Sequence, residues 1–190
     1  MPTILSHPAV PLAIGLGLGR RAVSGPLLAA GAVASILPDA DVVSFSLGVP
    51  YAAAMGHRGF SHSLVFAALV GLLGAAFHRP LRSTVLGAFA FLFVATASHG
   101  LLDAFTNGGL GIAFFWPFSS VRHFASVRVI QVASIGVVRL FSHRGAAVLL
   151  SELRWIWLPS AVIGLALAWA TRRGVARPPG EFGPLQQRRP

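Results

Sequence analysis

The sequence predicts an all-α, polytopic membrane helical bundle of about five apolar helices plus an interfacial segment, and three observations carry that prediction. Of the 190 residues, 55% are hydrophobic and only 11% are charged, with a mean hydropathy of +0.74, whereas an ordinary soluble domain is about 25% charged. The apolar residues gather into long runs separated by Arg, Gly and Pro, the pattern of spans and loops. The basic charge is all Arg, fifteen residues against five acids for a net +10, and it falls between apolar runs instead of along one face. That distribution speaks for the lipid bilayer as partner and against nucleic acid. The chain has no Cys, so disulfides and thiolate metal sites are excluded and any metal falls to His and carboxylate.

Five apolar stretches follow in order. Pro8 to Gly19 is twelve residues, about 18 Å of helix, and crosses only if Ile4 and Leu5 extend it. Ala22 to Leu37 is also short. Both carry small residues (Gly15, Gly17, Gly19; Ala29, Ala30, Gly31) that let helices approach closely, so they are expected to pair as a tight hairpin. Phe60 to Phe77 and Ser83 to Phe105 are longer. Trp155 to Thr171 is bracketed by Arg154 and Arg172, with Trp155, Trp157 and Trp169 near its ends as an aromatic belt.

Between Thr106 and Ser151, Arg122, Arg128, Arg139 and Arg144 interrupt every apolar run, so this stretch is not expected to span. Phe114 to Phe118 reads as an interfacial turn, and Val127 to Phe141 as a helix lying on the membrane surface or the bundle. Residues 1–173 thus form one membrane-embedded domain. Residues 174–190, rich in Pro, Arg and Gln, lack the apolar content to fold and are expected to be a disordered basic tail.

Alternating the spans puts Arg20, Arg21, Arg79, Arg82, Arg172, Arg173, Arg177, Arg188 and Arg189 on one side, nine of the fifteen. By the positive-inside rule that side is the cytoplasm. His7, Asp39, Asp41, His57, His62, His99 and Asp103 all fall on the other side. Ionisable groups at membrane depth are costly and mark function, and all three Asp of the chain are in this set. His99 and Asp103, four residues apart, share one helix face as two ligands would. Asp39 and Asp41 would point the same way in an extended segment. Glycines around His57 and His62 permit a tight loop, and Arg58 offers a planar fork for phosphate or carboxylate. Four imidazoles and three carboxylates exceed the needs of one tetrahedral zinc, so two or more zinc-like divalent ions are expected.

Ser6-His7, Pro38-Asp39-Ala40-Asp41, His57-Arg58-Gly59-Phe60-Ser61-His62-Ser63 and His99-Gly100-Leu101-Leu102-Asp103, followed by Asn107-Gly108-Gly109 and Trp116-Pro117-Phe118, resemble the YdjM-type family of bacterial inner-membrane metal-dependent hydrolases. The resemblance covers roughly residues 1–125. That family is in turn distantly similar to the zinc-dependent phospholipase C and P1 nuclease group, to whose His-x-x-x-Asp helix pair His99 and Asp103 correspond. The resemblance implies a multi-pass inner-membrane protein, a metal-dependent hydrolase and a phosphoester substrate such as a phospholipid.

The resulting expectation assigns His7, Asp39, Asp41, His57, His62, His99 and Asp103 to the metals, with Asp39 or Asp41 as general base. Arg58, and less directly Arg122, would bind the anionic substrate at a site on the periplasmic face. Ser61 and Ser63 would orient ligands through hydrogen bonds. His78 and His143 lack acidic neighbours and are assigned to the interface; His123 lies beside Arg122 on the site face. The rival readings are an ion- or proton-coupled transporter, which would place its ionisable groups near the midplane, and a non-enzymatic membrane protein with a structural metal site.

Overall fold

The computed structural model describes residues 1–132 and 142–175. Its elements are α1 (Ala9–Leu18), α2 (Gly25–Ile36), a 3₁₀ turn (Leu37–Val42), α3 (Val43–Ser46), a second 3₁₀ turn (Phe60–His62), α4 (Leu64–Ala76), α5 (Val85–Ala104), α6 (His143–Glu152), a π turn (Leu153–Trp157) and α7 (Leu158–Val175). No strand occurs among the described residues. Among the described residues, three helical stretches are long and apolar enough to cross a membrane: Gly25–Ser46, Val85–Ala104 and His143–Arg173. α1 and α4 are shorter apolar helices of about 15 and 20 Å, below the roughly 30 Å hydrocarbon thickness. The first runs alongside α7, the second alongside α5.

Helix starts follow the capping rule, in which a Ser or Thr oxygen takes an orphan N–H of the first turn. Ser24 accepts from Leu27 N (3.2 Å), Ser63 from Phe66 N (3.1 Å), Thr84 from Gly87 N (3.0 Å) and Ser142 from Gly145 N (3.2 Å). Ser24 also donates to the Leu81 carbonyl, joining the start of α2 to the loop before α5. α2 gives way to the 3₁₀ turn at Pro38, which lacks the N–H that a continuing helix needs.

Lipid offers no hydrophobic drive between helices, so close contact decides packing. Val23, Leu27 and Ala34 pack with Ala88, Phe91, Leu92 and Ala95 in one core, while Ala9, Ile130 and Ile156 form a smaller one under the site. α1 and α7 run in the same direction: Trp157 Nε1 donates to Ser6 Oγ (3.1 Å) at one end, and Thr171 Oγ1 to the Gly17 carbonyl (3.3 Å) at the other.

Two expectations are corrected here. The helical stretch that contains Trp155 does not begin there: α6, the π turn and α7 run on from His143 to Arg173, because Arg144 and Arg154 lie on the exposed side while Gly145, Val148, Glu152 and Ile156 form the buried one. The surface helix expected over Val127 to Phe141 is not helical in its described part. Residues 127–132 run extended beside the end of α5, with Asn107 N donating to the Ile130 carbonyl (3.0 Å) and Ile130 N to the Phe105 carbonyl (3.1 Å); β-branched Val127, Val129 and Ile130 suit that conformation. Residues 133–141 lie outside the described residues. So does the expected tail from residue 176 onward, and Gly174 and Val175 end α7. Phe114 to Phe118 does form a turn, with a cis Trp116-Pro117 bond and Phe118 exposed.

A Cβ at Gly17 would stand 2.6 Å from the Gly164 carbonyl and 2.8 Å from Leu167 Cβ, so Gly17→Leu is expected to part α1 from α7. The loss should be about 1–3 kcal/mol, read as a lower Tm in detergent. Gly25→Ala, where nothing lies within 4 Å of the new methyl, should leave Tm nearly unchanged.

Candidate metal centre

Four separate segments bring ionisable groups to one end of the bundle. His7 precedes α1, Asp39 and Asp41 sit in the 3₁₀ turn after α2, His57 precedes and His62 ends the 3₁₀ turn before α4, and His99 and Asp103 project from the last two turns of α5. His7, His99 and Asp103 are fully buried, and Asp39, His57 and His62 nearly so. His62 Nε2 faces His99 Nε2 at 3.1 Å. Asp39 Oδ1 lies 3.3 Å from His99 Nε2 and 3.8 Å from His62 Nε2, and Asp103 Oδ2 lies 3.5 Å from His62 Nε2.

The tautomers follow from the partners. His99 Nδ1 must donate to the Ser35 carbonyl (2.7 Å), since a carbonyl only accepts, and this leaves the lone pair on Nε2. Ser61 Oγ donates to Asp41 Oδ2 (2.5 Å), so His62 Nδ1 donates to Ser61 Oγ (2.9 Å), with Asp41 Oδ2 also 3.2 Å away. Its Nε2 then faces that of His99, and two lone pairs cannot meet at 3.1 Å without a cation between them. Burial opposes charge on His62, but the adjoining carboxylates of Asp103 and Asp41 outweigh it and push the pKa up to about 9. A proton therefore serves in the metal-free protein, and a metal ion would replace it.

The donor set fits such an ion. A zinc-like ion holds its ligands at about 2.0–2.1 Å in a tetrahedron, which sets the donor atoms roughly 3.3 Å apart. The four donor atoms of Asp39, His62, His99 and Asp103 lie within 4.8 Å of one another, four of their separations being 3.1–3.8 Å, and could hold one ion. The carboxylate oxygens of Asp39 and Asp103 and both nitrogens of His7 are buried without a hydrogen-bond partner, a costly state for groups of this polarity. His7 stacks on His99 with ring centroids 3.7 Å apart, and its Nε2 is 3.7 Å from Asp39 Oδ2. Burial and the neighbouring His99 hold its pKa down to about 3, so it stays neutral and able to ligate.

Asp41 and His57 form the outer layer. Asp41 receives His57 Nδ1 (2.6 Å), Ser61 Oγ (2.5 Å) and the Arg58 backbone N–H (3.1 Å). Asp41, His57 and His62 could hold a second ion, but its binding at Asp41 would displace these donors. In the arrangement present, Asp41 orients two imidazoles.

The chain belongs to the YdjM inner membrane protein family. The family's model matches residues 1–175. A relative, Inner membrane protein YbcI of Escherichia coli (strain K12), is 46% identical over 174 residues, 91% of this chain and all of that protein. No solved structure matches. In this YdjM family member the segment His57 to Ser63 lies against the buried centre, with His57, Ser61 and His62 reaching Asp41 through side chains and Arg58 through its backbone.

Arg58 has a different place from the one expected of a substrate ligand. It is wholly buried, its Nε is 3.0 Å from Asp103 Oδ2, and its terminal nitrogens donate to the Gly108 carbonyl (2.9 Å) and Thr106 Oγ1 (3.0 Å). Its φ is +64°, and the Ala113 N–H closes on its carbonyl (3.1 Å). Gly109, with φ +87°, is required beside it, since a Cβ there would stand 2.7 Å from its guanidinium. Arg58 is thus an internal counter-charge that fastens the 106–113 loop over the centre. Arg122 likewise donates to the carbonyls of His57 (3.0 Å), Tyr51 and Ala53 (both 3.2 Å). His78 and His143 lie away from the centre, and His123 packs against Phe115.

Glu152 is the residue that sequence reasoning passed over. It is buried inside the last helix and accepts from Thr3 N (2.5 Å), Thr3 Oγ1 (2.6 Å) and Ser6 Oγ (2.7 Å), which sets the segment carrying His7. An acid alone in an apolar helix was the available signal. Glu152→Leu strands those three donors. It is expected to cost about 1.5–3 kcal/mol per charged hydrogen bond lost without compensation, seen as a lower Tm together with faster hydrogen exchange at residues 3–7.

Proposed function

We propose that this protein is a membrane-bound, metal-dependent hydrolase that cleaves a phosphoester of a phospholipid-like substrate at the bilayer surface. The observation that carries the reading is the facing pair of imidazole Nε2 atoms, flanked by two carboxylates that no hydrogen bond satisfies. Asp39, His62, His99 and Asp103 would hold a divalent ion, zinc by its preference for nitrogen and carboxylate donors, with His7 beside them. Such an ion supplies Lewis-acid stabilisation of phosphoryl oxygen and a nucleophilic water at neutral pH.

The chain's own groups do the rest. Asp41 accepts a hydrogen bond from His57 Nδ1–H, which leaves Nε2 as the basic nitrogen that accepts and returns a proton. This moves the general-base assignment from the carboxylates to His57, because Asp41 is filled by its three donors. Val43 and Phe45 of α3, with Leu47 and Met55 after it, are exposed apolar residues beside the centre and suit contact with the lipid interface. The excess of Arg at the opposite end supports placing the centre on the periplasmic side of the inner membrane.

Metal analysis of the detergent-purified protein should find at least one equivalent of a transition metal, lost in His99→Ala and Asp103→Ala. Less than one equivalent in the unaltered protein refutes the reading. His57→Gln should keep its metal yet lose on the order of 100-fold or more in phospholipid turnover followed by lipid mass spectrometry. Bound metal with no turnover would identify a structural metal site instead. For orientation, Asn107→Cys should react with an impermeant thiol reagent in intact cells and Arg79→Cys should not; the reverse pattern places the centre in the cytoplasm.

A further inference from the structure

At the end of the bundle opposite the metal centre, the last turn of α1 and the last turns of α7 enclose a depression of about 370 Å³ lined by Leu18, Gly19, Arg20, Arg21, Thr171 and Arg172. Its shape follows from local structure. Gly19 takes φ +79°, and its carbonyl accepts from both Ala22 N and Val23 N (3.0 Å each), so Arg20 and Arg21 stand together on a tight turn. Thr171 Oγ1 reaches the Gly17 carbonyl, which brings Arg172 alongside them.

All three arginines are exposed, and none has a hydrogen bond or ion pair among the described residues. The reason is a matter of supply. The described acids are Asp39, Asp41, Asp103 and Glu152, and every one is committed at the other end of the molecule. Three permanent positive charges facing one depression repel one another unless an anion joins them. Guanidinium forks match phosphate oxygens, and the depression sits where the apolar helices α1 and α7 end, at headgroup height. Basic pockets between membrane helices are suited to anionic headgroups.

We infer that Arg20, Arg21 and Arg172 form a binding site for the phosphate of an anionic glycerophospholipid. The site is separate from the metal centre, and its occupant is a bound lipid that braces the α1–α7 pair. A zwitterionic lipid brings its own ammonium into the same cluster and binds less well.

The test is native mass spectrometry of the full chain in mild detergent, with phosphatidylglycerol and phosphatidylcholine of matched acyl chains added separately. Phosphatidylglycerol should be retained on the order of tenfold more strongly. The preference should vanish in the Arg20→Gln, Arg21→Gln, Arg172→Gln triple variant and persist in Arg79→Gln, Arg82→Gln. Equal retention of the two lipids, unchanged preference in the triple variant, or equal loss in the double variant overturns the proposal. Displacement of the lipid by an equal concentration of inorganic phosphate overturns it as well, since the anion alone would then suffice. Tm of each variant separates loss of the site from loss of the fold.

Discussion

Everything at the site end of this molecule answers to one constraint: ionisable groups withdrawn from water inside an apolar bundle must satisfy one another or hold a cation. The His62 and His99 nitrogens, 3.1 Å apart, state the constraint most sharply. A charge in hydrocarbon costs several kcal/mol, so each group added to the centre requires another. Asp103 requires Arg58, Arg58 requires the Gly108 carbonyl and Thr106, and His99 requires the Ser35 carbonyl. The pattern spreads outward until backbone groups end it.

The same constraint explains why loops and helix ends, not helix middles, build the centre. A carbonyl left free at the end of α2 can receive the His99 proton, whereas within a regular helix it would already be bonded. The 3₁₀ turn after α2 supplies both Asp39 and Asp41, and the left-handed Arg58 turns its side chain inward while its backbone N–H reaches Asp41. Away from the centre, helices meet through small residues such as Gly17 against Gly164 and Gly31 against Phe91, the packing expected where lipid and side chains are equally apolar.

Much of the site was legible in the primary structure because polar residues are so rare in it. Three Asp and a few His in a chain that is 55% hydrophobic cannot be dispersed cheaply, and alternation of spans put them at one end. Individual roles were less legible. Arg58 reads as a substrate ligand because its guanidinium offers a planar fork for phosphate, yet its partners lie 45 to 50 residues away at Asp103, Thr106 and Gly108. Glu152 was hidden by distance too, since Thr3 and Ser6 meet it across nearly 150 residues. Val127 to Ile130 gave no helix because the backbone groups left open after α5 offered extended pairing, a long-range contact that local periodicity does not register.

The sequence by itself determined the solvent, the helical class, the residues available for chemistry and the end of the bundle at which they gather, because composition and spacing act locally and additively. Tertiary structure alone decided which imidazole nitrogen faces inward, which carboxylate orients and which is left open to a cation, and which arginines are internal and which free. Those outcomes depend on distances of about 3 Å between segments far apart in the chain, and hydrogen-bond geometry at that scale has no counterpart in residue order.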